Sequence, residues 1–197
     1  MRYLTPLLLS LCFMGMSLSA TPQANALLPK FGAKLGKETF NSNLKGQPES
    51  GPISTFLGAA KLNLLIVSIE ANLGVHNSYI SKNKEDLNNL EFVTAAIARV
   101  SLPIIPLIAS AEFGAGLDQR TLINQTFIST DTKVKGASLS RTLLPISALI
   151  SAGIPKLVSF DLEARFNIEL NNSYTISGND RDLKSNHEFW ILAGATF

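Results

Sequence analysis

The chain contains few of the residues on which redox, metal and nucleic-acid chemistry depend. Its 197 residues include one cysteine and two histidines, and 16% of them are charged, against roughly 25% in an ordinary soluble domain. The cysteine, Cys12, lies in an N-terminal segment that we expect to be removed, so disulfides and thiolate chemistry are excluded from the mature chain. A net charge of +2 provides no basic excess for neutralising phosphates, which argues against nucleic acid as a partner.

The first residues have the layout of a secretory signal peptide. Arg2 precedes an almost wholly apolar run over 4–18, and Ala24 and Ala26 place small residues at the two positions that a signal peptidase reads. We predict a signal peptide over 1–26 and a single mature domain over 27–197. An N-terminal membrane anchor is the less favoured alternative, because a spanning helix needs about 20 apolar residues.

The mature chain also lacks hydrophobic runs long enough for a transmembrane helix. Its longest uncharged stretches, 100–111 and 142–155, each contain two prolines and are too short to cross about 30 Å of hydrocarbon. Polar and apolar residues instead alternate without error over 159–170, a period of two that only a β-strand converts into two different faces.

Seven further stretches have a similar length, close to the 9–11 residues with which a tilted strand crosses a bilayer. The eight predicted strands are 30–40, 54–63, 66–77, 90–101, 107–118, 138–151, 158–170 and 187–197. Short apolar turns near 63–65, 102–106 and 153–157 alternate with long polar connections at 41–53, 77–89, 119–137 and 171–186. This alternation is typical of an outer-membrane barrel with short periplasmic turns and long extracellular loops.

One face of these strands carries charge. Because a charged side chain on the lipid face at the midplane costs about 2–4 kcal/mol, we expect the charged face to point inward. Ten residues share that parity, five acidic and five basic, so the interior could neutralise itself: Lys34, Lys61, Glu70, Arg99, Glu112, Arg141, Asp161, Glu163, Arg165 and Glu169. An eight-stranded barrel has an interior just wide enough to be filled by side chains, which predicts a plugged lumen.

The strand over 138–151 does not fit this pattern. The parity set by Arg141 also points Leu143, Pro145 and Leu149 inward, and a proline removes a hydrogen bond from the ladder. A bulge near Leu144 and Pro145 could switch the parity, and the sequence leaves both arrangements open.

Aromatic residues on the opposite face fall at two levels, as expected at the two membrane interfaces. Phe31, Phe160 and Phe197 lie at the predicted periplasmic strand ends, and Phe56, Phe92 and Phe189 lie at the extracellular ends. Apolar residues also occupy every second position of the last strand, including Phe189, Ile191 and the terminal Phe197.

With these features the chain resembles the small eight-stranded outer-membrane barrels of the OmpA membrane-domain and OmpX type. The resemblance covers the mature chain and implies an all-β, eight-stranded antiparallel transmembrane up-and-down barrel. It implies that the barrel-assembly machinery reads the last strand, where Ala195 departs from the larger residue that is common in the family.

We therefore expect a bacterial outer-membrane protein with a structural or surface-interaction role and no enzymatic activity, cofactor or metal. Its expected surroundings are outer-membrane lipid and lipopolysaccharide, an unknown extracellular ligand, and no second copy of the chain. A narrow channel, a lipid-modifying enzyme and a soluble periplasmic β-sandwich are the alternatives. The enzyme would use His76 and Ser78, which share one face, as base and hydroxyl nucleophile.

Overall fold

The computed structural model describes residues 28–42, 53–64, 66–82, 85–105, 108–154, 157–181, 183 and 185–197. The predicted signal peptide with Cys12 lies outside these residues, as does most of the predicted connection 41–53. Among the residues described, none forms a helix that is long and apolar enough to cross a membrane.

The described residues form one antiparallel sheet of nine strands. In chain order they are β1 (Lys30–Asn41), β2 (Thr55–Leu64), β3 (Val67–Lys82), β4 (Glu85–Ile105), β5 (Ala109–Phe127), β6 (Ala137–Ile154), β7 (Val158–Ile176), β8 (Asn179–Arg181) and β9 (Glu188–Thr196). Strands β1 to β7 pair consecutively, β7 pairs with β9, and β9 pairs with β1. Eight strands thus close into a ring, which confirms the predicted up-and-down barrel, and β8 is a short extension of β7.

Period-two alternation explains why these segments form a barrel wall. Along β7, Asp161, Glu163 and Arg165 are buried, whereas Phe160 and Leu162, which alternate with them, are exposed. Successive side chains of a strand point to opposite faces, so in a closed ring the buried set faces the interior. This barrel therefore has a polar interior and an apolar exterior, the reverse of a soluble domain.

The two ends of the barrel differ. At the short-connection end, β2 and β3, β4 and β5, and β6 and β7 are joined by two or three residues, as predicted. At the other, long-connection end the predicted loops were too long. The segment 77–89 is mostly strand, since β3 and β4 pair as far as Lys82 and Glu85.

The same holds for two further predicted loops. β5 continues to Phe127 and β7 to Ile176, where a tight turn with positive φ at Ser177 and Gly178 leads into β8, as type I′ hairpins require. The sequence rule assumed bilayer-length strands, but polar β-strands also pair beyond the apolar band.

Pro145 lies inside the barrel without a bulge in its own strand. Leu143, Pro145 and Leu149 are all buried, and the alternation of β6 is unbroken. The ladder from β6 to β5 is interrupted between the pairs Ala115–Ile146 and Asp118–Leu143, because a proline nitrogen has no hydrogen to donate.

Bulges occur instead in the neighbouring strands near the long-connection end. Leu170 is the extra residue of β7 opposite β6, and Ile123 is the extra residue of β5 opposite β4. A third irregularity lies in β1 between Glu38 and Phe40. Each of these irregularities shifts the inward–outward alternation of its strand by one residue. On β7, for example, the odd-numbered Glu169 and the even-numbered Tyr174 are both buried.

Two glycines on adjacent strands provide a test of the wall's packing. A Cβ at Gly74 would lie 1.9 Å from the carbonyl oxygen of Phe56, whereas a Cβ at Gly58 meets nothing nearer than 3.5 Å. We expect Gly74→Ala to lower the free energy of unfolding by about 1–3 kcal/mol, because the wall must shift to admit the methyl group. Gly58→Ala is the matched control and should have little effect, as measured by urea unfolding. Equal effects of the two substitutions would contradict the described approach of β2 and β3.

Candidate functional site: the barrel interior

The ten charged residues that the sequence analysis placed inside the barrel are all buried, with a relative exposure of 5% or less. The structure brings most of them together in groups, which we name by level. The middle cluster comprises Lys34, Glu70, Arg99, Glu163 and Arg165. The lower pair, toward the short-connection end, is Lys61 and Glu112. Arg141 and Glu169 belong to a third group, the upper cluster, toward the long-connection end.

Glu163 is the centre of the middle cluster. Its carboxylate accepts hydrogen bonds from Lys34 Nζ at 2.7 Å, Arg99 Nη2 at 2.7 Å and Arg165 Nε at 2.9 Å. Glu70 accepts hydrogen bonds from two of these three residues, from Lys34 Nζ at 2.5 Å and from Arg99 Nη1 at 3.0 Å. The cluster therefore links β1, β3, β4 and β7 across the lumen.

The lower pair is simpler. Lys61 Nζ donates to Glu112 Oε1 at 2.6 Å, and Ser68 Oγ donates to Glu112 Oε2 at 2.7 Å. Asp161, two residues before Glu163 on β7, is also buried, but it makes no ion pair with the side chains that the structure describes.

The upper cluster is the largest group, and sequence reasoning missed most of it. Arg120 pairs with Glu188 at 2.6 Å and Asp118 at 2.9 Å. Arg141 pairs with Glu188 at 2.8 Å, with Glu169 at 3.2 Å and with Glu91 at 3.3 Å. With Glu38 and His76, described next, the members are Glu38, His76, Glu91, Asp118, Arg120, Arg141, Glu169 and Glu188.

The missed residues carry a recognisable signal. Asp118 and Arg120 continue the inward parity of Glu112 along β5, and Glu91 has the parity of Arg99 along β4. Glu91 and Asp118 lie inside the predicted strands 90–101 and 107–118, at or next to their ends, and Arg120 lies just beyond. Applying the inward parity to every position of the predicted strands identifies the acidic residues, and extending it by two residues identifies Arg120.

His76 is buried in the upper cluster. Its Nδ1 lies 2.8 Å from Thr55 Oγ1, and its Nε2 lies 3.0 Å from Glu38 Oε2 and 3.7 Å from Glu188 Oε2. The ring of Trp190 packs against the imidazole at a centroid distance of 4.3 Å.

Ser78, the other half of the hypothetical base–nucleophile pair, has a different partner. Its hydroxyl donates to Glu91 Oε1 at 3.0 Å, and His76 contacts Thr55 instead. Both His76 and Ser78 are fully buried inside the barrel, so neither faces the exterior from which a lipid substrate would come.

The described interior is not electrically balanced. The middle cluster, the lower pair and Asp161 together contain four carboxylates and four basic side chains. The upper cluster contains five carboxylates but two guanidinium groups, with one imidazole. This differs from the equal numbers expected from the sequence, because four of the five further charged residues in the interior are acidic: Glu38, Glu91, Asp118 and Glu188.

The outward-facing residues proposed for the girdles and the assembly strand lie on the exterior. Phe31, Phe56, Phe92, Phe160, Ile191 and Phe197 are each at least 44% exposed, and Phe189 is half-buried. Phe31 and Phe197 exchange backbone hydrogen bonds where β1 meets β9, at the short-connection end.

Comparison with known proteins bears on the fold. No protein-family model and no curated protein sequence matches the chain. Among solved structures, Neisserial surface protein A is similar at 12% identity with a TM-score of 0.54, over 87% of this chain and 96% of that one. Ail of Yersinia pestis is 10% identical with a TM-score of 0.45, over 85% and 93% of the two chains.

A third similar structure is the N-terminal β-barrel domain of Pseudomonas aeruginosa OprF. It is 11% identical with a TM-score of 0.45, over 86% of this chain and 96% of that chain. Taken with the ring of eight strands, the likeness to Neisserial surface protein A shows that the chain has the fold of the small eight-stranded outer-membrane β-barrels.

The middle cluster gives a prediction about stability. We expect Glu163→Gln to lower the free energy of unfolding by about 3–5 kcal/mol, because it leaves Lys34, Arg99 and Arg165 without their shared counter-charge in a buried site. Urea unfolding of the folded barrel measures this change.

Asp161→Asn is the matched control for this experiment. It makes the same carboxylate-to-amide change two residues away, at a buried position without an ion pair, and should cost much less. A Glu163→Gln protein as stable as Asp161→Asn would show that the middle cluster does not hold the wall together.

Proposed function

We propose that the protein is an integral barrel of the bacterial outer membrane, exported by a signal peptide over 1–26. Its interior is filled by side chains, and its role is structural or one of surface interaction, without catalysis. The observation that carries this proposal is an apolar band of limited height around the exterior.

The band has a sharp border toward the long-connection end. Outward-facing residues change from apolar to polar between Leu144 and Thr142 on β6, and between Leu117 and Gln119 on β5. On β7 the change follows Leu170. Below this border the apolar stretches span about 9–11 residues, the length that a tilted strand needs to cross a bilayer. A soluble barrel has no reason to expose such a belt.

The packing of the lumen supports a closed interior. Trp190, Arg99, Arg120, Arg141 and Arg165 are among the largest fully buried side chains, and they come from opposite sides of the ring. Eight strands leave room for such side chains and little else. This arrangement favours a plugged barrel over a narrow channel.

The long-connection end supports the surface-interaction role. Strands β3 to β7 continue beyond the apolar band and carry polar outward residues such as Gln119, Thr121, Asn171 and Ser173. Placed outside the cell, as in the family that the sequence resembles, these extensions would meet lipopolysaccharide headgroups and an external ligand. The last strand, with Phe189, Ile191 and Phe197 on its outer face, would be presented to the assembly machinery, and the barrel would act as a monomer.

Two substitutions on one strand test whether the band contacts lipid. Leu162 and Leu170 are both outward-facing on β7, at 56% and 58% exposure. In lipid vesicles, Leu162→Arg inside the band should cost more unfolding free energy than Leu170→Arg at the border, where the cost should be about 0–1 kcal/mol. A small cost at both positions would indicate that water, not lipid, covers the band.

Electrical recording tests the closed interior. Purified protein inserted into planar bilayers should give a silent trace, since ion pairs and bulky side chains occupy the lumen. Heat-modifiable migration on gels provides the control that the inserted protein is folded. Discrete conductance steps from folded protein would support the channel instead.

A further inference from the structure

Three potential metal ligands meet in the upper cluster, and the proposed function makes no use of them. Glu38 of β1, His76 of β3 and Glu188 of β9 are all buried, and their ligand atoms lie within 4.8 Å of one another. Zn²⁺ binds nitrogen and oxygen ligands at about 2.0–2.2 Å, so tetrahedral ligand atoms lie about 3.3–3.6 Å apart. The distances of 3.0 and 3.7 Å from His76 Nε2 to the two carboxylates fall close to this spacing.

The orientation of His76 suits a metal ligand. Thr55 Oγ1, 2.8 Å away, can accept a hydrogen bond from Nδ1, which leaves the Nε2 lone pair directed at the carboxylates. Metal-binding histidines commonly have their second nitrogen held by such a hydrogen bond. The ring of Trp190 at 4.3 Å further limits rotation of the imidazole.

The charge distribution independently favours a cation at this level. In the part of the lumen that the structure describes, the middle cluster and the lower pair are balanced when Asp161 is counted with them. The carboxylate excess lies in the upper cluster, where five carboxylates face two guanidinium groups. Burying uncompensated charge is costly. A divalent ion would offset negative charge at this level.

Glu188 can bind a metal ion and still pair with the two arginines. Its oxygens pair with Arg120 and Arg141, and an ionised carboxylate offers about four lone-pair sites. Glu38 and His76 are less involved with the two arginines, and they are therefore the positions at which the site can be removed with least damage to the ion pairs.

We propose that Glu38, His76 and Glu188 bind one divalent transition-metal ion inside the barrel. One imidazole and two carboxylates form a donor set that suits Zn²⁺ or Co²⁺. The ion would tie β3 to both β1 and β9, the first and last strands of the ring, and so would stabilise closure of the barrel.

Titration of the folded, mature chain with Zn²⁺ tests this proposal. The protein is purified without a polyhistidine tag, treated with a chelator and exchanged into metal-free buffer before calorimetry. We expect one Zn²⁺ per barrel, with affinity lowered at least about tenfold in both Glu38→Gln and His76→Gln, since even changes around a ligand cost about 10–100-fold.

Two controls separate this site from other carboxylates and imidazoles. Glu112→Gln changes a buried carboxylate of the lower pair, and His187→Gln removes the second histidine of the chain. Both should bind Zn²⁺ as the unmodified protein does, and heat-modifiable migration shows that each variant is folded. Absence of Zn²⁺ binding, or equal affinity in Glu38→Gln and His76→Gln, would overturn the proposal.

A measurement on the unmodified protein decides the matter if those variants do not fold. With ¹⁵N-labelled histidine, Co²⁺ should shift or broaden the ring signals of His76 at one equivalent. Signals of His76 that stay unchanged while Co²⁺ is added would equally overturn the proposal.

Discussion

The antiparallel ladder between β1 and β9 is the contact on which the barrel depends. It runs from the Gly32–Thr196 pair to Asn41–Glu188, and it joins the first and last strands of the sheet. Without it, two edges would expose unsatisfied backbone groups, which cost several kcal/mol each where lipid replaces water. Closure also creates the enclosed interior, so every buried charge in this protein presupposes that ladder.

The interior charges specify the arrangement of the wall more than they add to its stability. Burying ions costs nearly as much as their pairing returns, yet Glu163 and Glu188 each hold partners from strands across the lumen. A slip of one residue in any strand would turn its charges toward the apolar exterior. The clusters thus select one register at two separate levels of the barrel.

The architecture could be predicted from the sequence because two rules apply to each strand separately. Polar and apolar residues alternate along it, and a charged side chain that faces lipid costs free energy. Placing Lys34, Glu70 and Glu163 inside requires parity alone. The upper cluster was harder to predict, because Asp118 and Glu188 lie at or next to the ends of their predicted strands and Arg120 lies beyond one. Beyond the upper cluster, bulges near Leu170 and Ile123 change the parity that faces inward, and a bulge depends on the pairing of two strands. For Pro145 the sequence left a bulge and an unbroken strand both open, and β6 keeps its alternation but lacks ladder pairs with β5 at this point.

Trp190 is the single tryptophan of the chain, and it is fully buried between the Arg120 guanidinium, 4.4 Å from its ring centroid, and the His76 imidazole. Most barrels of this kind would be expected to carry indoles at the membrane interface, where their fluorescence reports on lipid. Here the lone indole is on the inside. Its emission is therefore an intrinsic optical signal of the lumen, free of any contribution from the bilayer-facing surface.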